Sequence, residues 1–346
     1  MKLLAIDAIK SGMYLAKDIL SAEGKVLLAR GTRLTKAYLR RLKDFDYTHL
    51  YVCDSDEDKE LEIIEPISEK TRIQTVKAVK ETLTKALTWQ DLNMQQINHL
   101  AGVIVDEICG KNDVIFNMME IREYDDYTYS HSVNICIIST IIGKLLGLPY
   151  ARLKKLAVGA LLHDLGKIYI ERNILAKNSN LTPEEARQMH QHPKLGFDRL
   201  RIYPELSILS AHVAYQHHER EDGSGYPRGL SDKEIHPFAK IVAVADSYDA
   251  MVSKRPYKKP VFNHIALAEV KAKSPLKYDQ KVAIALTWAV APYPIGSVVL
   301  LTNKEKAVVT NTKRKKTVVQ IIDGKKKGDF IEITKDAEVQ IEDRLA

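Results

Sequence analysis

A chain of 346 residues that is 45% hydrophobic has enough apolar material for two or three domains with real cores. Its formal charge of +7 suits an anionic partner but carries no information about fold. The three cysteines, Cys53, Cys109 and Cys136, are widely spaced and form no Cys-x-x-Cys pair, which argues against a disulfide framework and a zinc ribbon.

At the N-terminus, MKLLAIDAIKSGMYLAKDIL has Asp7 and Lys10 breaking any apolar run, so it does not read as a secretory signal. Residues 1–53 alternate short apolar runs with turn signals. Glu23-Gly24 is expected to turn a hairpin, a helix to follow Thr35, and THLYV to return as a strand, giving a small α+β unit over residues 1–60. The acidic run DSDEDKELEIIEP, ending at Pro66, reads as a linker.

From Ser68 to about Ala289 the apolar residues recur at three and four, the spacing of helices. TRIQTVKAVKETLTKAL and LNMQQINHLAGVIVDEI read as amphipathic helices. The longest apolar stretch, VNICIISTIIGKLLGL from Val133, contains Ser139, Thr140, Gly143 and Lys144 and falls short of the roughly 20 apolar residues of a membrane span. It reads as a buried helix, and a cytoplasmic protein without a membrane segment is the expectation. Thr182-Pro183-Glu184-Glu185 is a capping box with proline at the first helical position. This helical region is taken as residues 61–290.

Beyond it, over residues 291–346, PYPIGSVVLL, KAVVTN, TVVQIID and DFIEITKDAEVQIE are β-branched runs separated by turn residues, which predicts a compact antiparallel β module. KRKK (313–316) and KKK (325–327) have no interleaved aromatics, so they read as solvated turns, and no DNA or RNA partner is expected. The fold class is therefore mainly α, with a small N-terminal α+β unit and a C-terminal antiparallel β module.

Nine of the eleven histidines lie between positions 131 and 264. The informative ones come in company: His131 in YSHSVN, His163-Asp164 in LLHDLGK, His192 in HQHPKLG, His217-His218 in YQHHER, and Asp246 in VAVADSYDA. Each sits on or beside an apolar helical segment, where an unpaired polar group would cost several kcal/mol to bury. Five imidazoles and two carboxylates meeting in one bundle would make a mixed N/O site, suited to iron, manganese, zinc or nickel rather than magnesium or calcium. Adjacent residues on a helix point about 100° apart. The pair His163-Asp164 therefore serves one ion only near a helix end, or else flanks two, with Asp164 bridging. His217 and His218 can share a second ion from a frayed terminus. Asp249, three residues after Asp246 on the same face, is expected to orient a histidine or a water from behind the ligands. The remaining histidines, His49, His99, His190, His212, His236 and His264, read as hydrogen-bonded core residues.

HDLGK with the upstream YTYSHS, the downstream HP-x-x-G, the run HHEREDGSGYPRGL and VAVADSYDAMVSKRPY together resemble the HD-GYP domain. This is a branch of the HD phosphohydrolases that degrades the bacterial second messenger cyclic di-GMP, and the resemblance spans about residues 112–285. It implies an HD-type helical bundle holding two divalent transition-metal ions, iron or manganese. His131, His163, Asp164 and Asp246 correspond to the first metal's ligands, and His192, His217 and His218 to the second's, with Asp164 between them. Lys167 and Arg255 correspond to phosphate contacts, with Lys167 and Asp164 at the reacting centre. Gly225-Tyr226-Pro227 corresponds to the loop that names the family, which packs beside the site and places Tyr226 against nucleotide or a partner protein.

A glutamate that adds a third metal in some members is replaced here by Tyr127, with Asp125 and Asp126 out of register, so two ions are favoured over three. The implied reaction is hydrolysis of cyclic di-GMP to linear pGpG, with GMP as the further product left open. The hydroxide would come from a water shared by the ions, whose pKa falls towards about 7. Gly223 and Gly225 are expected to supply backbone angles closed to other residues, and Pro227 to fix the loop's exit so that Arg220 and Tyr226 are held beside the metals. A hydrolase for cyclic GMP-AMP and a non-catalytic cyclic di-GMP receptor or scaffold are the alternatives. A homodimer and a signalling protein docked on the GYP loop are the partners left open.

Overall fold

The structure, a computed structural model, describes residues 1–21, 25–45, 47–54, 65–88, 90–117, 127–177, 179–253, 260–313 and 316–345, except for the Tyr127 side chain. Arg255, Asp125, Asp126 and the expected turn at Glu23-Gly24 lie outside the described residues.

The N-terminal unit pairs β1 (Lys2–Ala5) and β2 (Tyr14–Leu15) antiparallel on either side of β5 (His49–Cys53). A second ribbon joins β3 (Ile19–Leu20) to β4 (Val26–Leu28), and α1 (Lys36–Asp44) starts where expected, with the Thr35 hydroxyl accepting from the Tyr38 N–H. Ile6, Leu15, Leu34, Leu42, Leu50 and Val52 form its own apolar core.

The helical region runs through α2 (Glu69–Leu87), α3 (Met94–Cys109), α4 (Tyr127–Leu145), α5 (Tyr150–Leu162), α6 (Arg172–Leu175), α7 (Pro183–Met189), α8 (His192–Leu200), α9 (Ile208–Gln216), α10 (Pro237–Val252), α11 (Asn263–Lys273) and α12 (Gln280–Ala289). Helix α4 is the axis of this bundle. Val133 to Ile142 are buried all round it because α2, α3, α5, α10 and α12 pack against it, which accounts for its unbroken apolar run. Thr182 and Glu185 make the expected capping box at α7. Among the described residues no helix is long and apolar enough to cross a membrane.

The C-terminal strands β6 (Val298–Leu301), β7 (Lys306–Lys313), β8 (Lys316–Ile321), β9 (Phe330–Ile333) and β10 (Ile341–Arg344) form one antiparallel sheet in the order β10-β6-β7-β8-β9. Val299, Leu301, Val309, Val319 and Ile321 make a third core. The two end units touch, since the Leu3 N–H donates to the Gly296 carbonyl at 2.8 Å.

Two close backbone approaches fix what matters for the centre of the bundle. The turn after α5, a 3-10 segment over Leu165–Tyr169, lies against α8, and a Cβ on Gly166 would fall 1.9 Å from the His192 carbonyl oxygen. Glycine in HDLGK is therefore what lets His163 and Asp164 come beside His192. Gly225 corrects the expectation from its sequence. Gly223 has φ +73°, as anticipated, whereas the Gly225 backbone has no positive φ. Its lack of a side chain serves proximity instead, because a Cβ there would sit 2.4 Å from the Glu219 Cα and 2.5 Å from the Arg220 nitrogen.

Gly166→Ala should lower the stability of the bundle by about 1–3 kcal/mol in urea denaturation, as expected where a well-packed interior is overfilled. Gly102→Ala is the control. It meets only the flexible end of Lys154 at 3.2 Å and should be neutral or stabilising.

Candidate metal centre

Three of the elements contribute residues at points where a helix begins or ends. His163 terminates α5, and Asp164 follows with φ −98° and ψ 8°, outside the helix, so the two side chains diverge as the sequence requires. His192 opens α8, and His217 terminates α9 with His218 following. His131, in α4, and Asp246, in α10, come from within long helices.

These seven side chains meet. The ligand atoms of His131, His163 and Asp164 lie within 4.8 Å of one another, and so do those of Asp164, His192, His217 and His218. Asp164 belongs to both groups, one oxygen to each. Its Oδ2 is 3.3 Å from His163 Nε2 and 3.9 Å from His131 Nε2, while its Oδ1 is 3.5 Å from His192 Nε2 and 3.6 Å from His217 Nε2. Asp246 stands outside both groups but its Oδ1 is 3.2 Å from His131 Nε2.

The hydrogen bonds behind the rings decide which nitrogen faces the centre. The Nδ1 of His163 lies 2.8 Å from the Ala160 carbonyl, that of His192 2.7 Å from Met189, and that of His217 3.0 Å from Ala214. Each Nδ1 must therefore donate, leaving a lone pair on Nε2. Asp249, fully buried, does the same for His131 at 2.7 Å, and is itself held by Asn134 Nδ2 at 3.3 Å and the Ser253 hydroxyl at 3.1 Å. The Arg72 guanidinium, from α2, donates to Asn134 Oδ1 at 2.9 Å, so the bracing of His131 extends to the far side of α4.

At the centre itself Nε2 of His163, His192, His217 and His218 and Oδ1 of Asp164 are buried with no hydrogen-bond partner among the described residues. Each such atom costs about 1–3 kcal/mol if left unpaired. Cations in the two groups would satisfy them, and nitrogen donors mixed with carboxylate suit transition metals. The electrostatics agree. Burial pulls the His192 imidazole down to about 3, and burial with His217 alongside holds His218 well below its ordinary range, so both keep a lone pair. Burial opposes ionisation of Asp164, but Lys167 and His163 outweigh it and hold the carboxyl well below the usual range. His131 differs: it is pushed up to about 9 because hydrogen bonds to Asp246 and Asp249 override its burial, so a cation at its Nε2 would have to displace a proton shared with Asp246.

Lys167 Nζ is 2.6 Å from Asp164 Oδ2 and partly exposed, at the mouth of the centre. Tyr226 stacks on His218, with ring centroids 4.6 Å apart and planes at 22°. Arg220 donates to the His217 and Glu219 carbonyls and lies over the Tyr278 ring, so it braces the loop. Two residues passed over in the sequence matter here. Glu219 is buried, and its carboxylate accepts the Arg228 and Leu230 N–H groups at 2.9 Å each, tying the loop down. His190, expected in the core, is exposed and stacks on Tyr226 at 3.7 Å and 14°. His99 is likewise on the surface, and His236 caps α10 through its Nδ1. An acid beside two histidines was the signal available for Glu219. Nothing in the local sequence marked His190.

The family model described as the HD domain matches residues 116–282. That stretch, just under half of the chain, is similar to the HD domain. The match holds every member of the cluster, and the HD-GYP resemblance carried by the motifs stands with it. A cyclic di-GMP phosphodiesterase of Thermotoga maritima is 42% identical over 179 residues, 50% of this chain and 49% of that protein. One of Pseudomonas aeruginosa is 35% identical over 213 residues, 60% of this chain and 51% of that protein. A 3′3′-cGAMP-specific phosphodiesterase of Vibrio cholerae is 34% identical over 145 residues, 41% of this chain and 31% of that protein. The chain thus spans about half the length, or less, of these curated relatives. Among solved structures, the Bdellovibrio bacteriovorus HDG"Y"P protein Bd1817 shares the fold at TM-score 0.55 and 18% identity, covering 82% of this chain and 97% of that one. The likeness of fold thus takes in more than the HD domain alone.

Asp249→Asn, which weakens the bracing of His131, should reduce metal affinity about 10- to 100-fold, read by chelator competition. Glu219→Ala leaves two loop N–H groups unpaired. It should cost about 1–3 kcal/mol locally, seen as faster hydrogen exchange at 223–230.

Proposed function

We propose that the protein is a metal-dependent phosphodiesterase that hydrolyses cyclic di-GMP to linear pGpG. The observation that carries this reading is the position of Asp164, one carboxylate whose two oxygens face two separate sets of imidazoles. His131, His163, Asp164 and Asp246 would hold the first cation, and Asp164, His192, His217 and His218 the second; the mixed donor set suits a transition metal, and the motif resemblance favours iron or manganese. When bound, such a pair lowers the pKa of water and neutralises charge on the phosphoryl oxygens.

The chain's own groups do the rest. Asp164 stays ionised and fixes the spacing of the two half-sites. Lys167, tethered to Asp164 at the mouth, reaches a non-bridging phosphate oxygen and stabilises the charge that builds there as water adds to phosphorus and the bond to the 3′-oxygen breaks. The departing oxygen takes a proton and becomes the 3′-hydroxyl of pGpG. Arg255 is assigned a second phosphate contact on its motif alone. Tyr226 borders the same mouth and can meet the substrate with its free edge. Residues 61–290 are taken as the catalytic unit, with 1–60 and 291–346 as flanking modules, a division supported by the three separate apolar cores.

The Vibrio cholerae relative that is specific for 3′3′-cGAMP keeps that dinucleotide as a second candidate substrate. A receptor without turnover would more often have lost ligand residues, and His131, His163, Asp164, His192, His217 and His218 are all retained, which favours the enzymatic reading.

The purified full chain, loaded anaerobically with iron or manganese, should convert cyclic di-GMP to pGpG on chromatography, and faster than it converts 3′3′-cGAMP. Absence of product with iron, manganese, zinc and nickel alike defeats the enzymatic reading. Lys167→Ala should retain metal and lose about 10²-fold in kcat. His163→Ala and Asp164→Ala should lose metal and activity together.

A further inference from the structure

Four of the five imidazoles at the centre are oriented by a hydrogen bond that Nδ1 donates, to Asp249 for His131 and to backbone carbonyls for His163, His192 and His217. His218 is the exception. No hydrogen bond to either of its nitrogens is present among the described residues, and its Nε2 is buried and aimed into the second half-site. The torsion that turns an imidazole about its Cβ–Cγ bond is soft, so something else must set the plane of this ring.

The structure supplies a column of rings. His218 is stacked on Tyr226 at 4.6 Å and 22°, and the opposite face of Tyr226 is stacked on His190 at 3.7 Å and 14°. The column is anchored at its outer end and at its middle. His190 terminates α7, its N–H donating to the Ala186 carbonyl at 2.9 Å, and the loop bearing Tyr226 is tied to Glu219 and to the His218 carbonyl. His192 closes the side of His218 edge-on, with centroids 5.0 Å apart and planes at 86°.

We infer that His190 is a positioning residue for the second cation, acting through Tyr226 to hold the His218 imidazole in ligating orientation by stacking where its neighbours use hydrogen bonds. The inference rests on the metal-site reading above and deepens it. It gives Tyr226 a task inside the protein: its ring is a buttress on both faces, which leaves only its edge for substrate. Two features separate this role from ligation. The His190 ring lies beyond Tyr226 from the metal centre, and it belongs to neither group of ligand atoms.

The test is anaerobic titration of the metal-free full chain with Co(II), following ligand-field absorption for each ion bound. The wild-type chain should take up two ions in two steps. His190→Ala should leave the first step unchanged, which also reports a folded bundle, and weaken the second about 3- to 10-fold, the range expected for loss of one aromatic pair. His190→Phe, which keeps the ring and removes both nitrogens, should restore wild-type affinity. A second step unaltered in His190→Ala overturns the inference, as does His190→Phe binding as weakly as His190→Ala, which would assign the effect to a nitrogen. A wild-type chain that binds no second ion sinks the two-metal reading itself, and that result is read before any variant is made.

Discussion

Four imidazole nitrogens and a carboxylate oxygen are buried close together with no hydrogen-bonding partner among the described residues, and the arrangement is tolerable only around positive charge. Asp164 sits at the middle of it. Its charge is favoured by Lys167 from the solvent side and by His163 from within, against the burial that would otherwise protonate it. Because its two oxygens face different imidazoles, loss of this one side chain would disturb both halves of the centre.

The fold delivers these groups by ending helices rather than by decorating their faces. A helix interior separates neighbours by about 100°, so His163-Asp164 and His217-His218 converge only where α5 and α9 stop. Meeting there requires backbones to approach more closely than side chains permit. Gly166 against His192 and Gly225 against the His218–Arg220 backbone are those approaches, and each glycine belongs to the motif whose ligands it brings in. The long apolar helices α4 and α10 contribute His131 and Asp246 from a fixed scaffold.

Much of this was legible in the sequence because it is local. The capping box at Thr182, the helix after Thr35, the antiparallel module after Pro292 and the seven polar residues set in apolar segments each declare themselves within a few positions. What was not legible depends on who the neighbour is. Gly225 looks in sequence like a residue wanted for its φ, and only the fold places the Glu219 backbone where its side chain would be. Glu219 looks like one more charge in a charged loop until its carboxylate is found accepting two N–H groups of that loop. His190 looks like a core histidine, yet the stack that gives it meaning joins the end of α7 to a loop 36 positions away. Arg72 is read as the polar face of an amphipathic helix, while its guanidinium ends on the Asn134 that steadies Asp249.

The terminal modules are also more than appendages by sequence order. Arg344, on the last strand, is buried, and burial draws it down to about 10 while the phenols of Tyr51 and Tyr248 act in the opposite direction. Tyr51 lies on β5 of the N-terminal unit, and Tyr248 lies on α10 between Asp246 and Asp249. The same guanidinium rests 5.0 Å over the Phe262 ring at the start of α11. The two end units thus meet through the Leu3–Gly296 hydrogen bond, and the last strand reaches the helical region where Arg344 lies over Phe262.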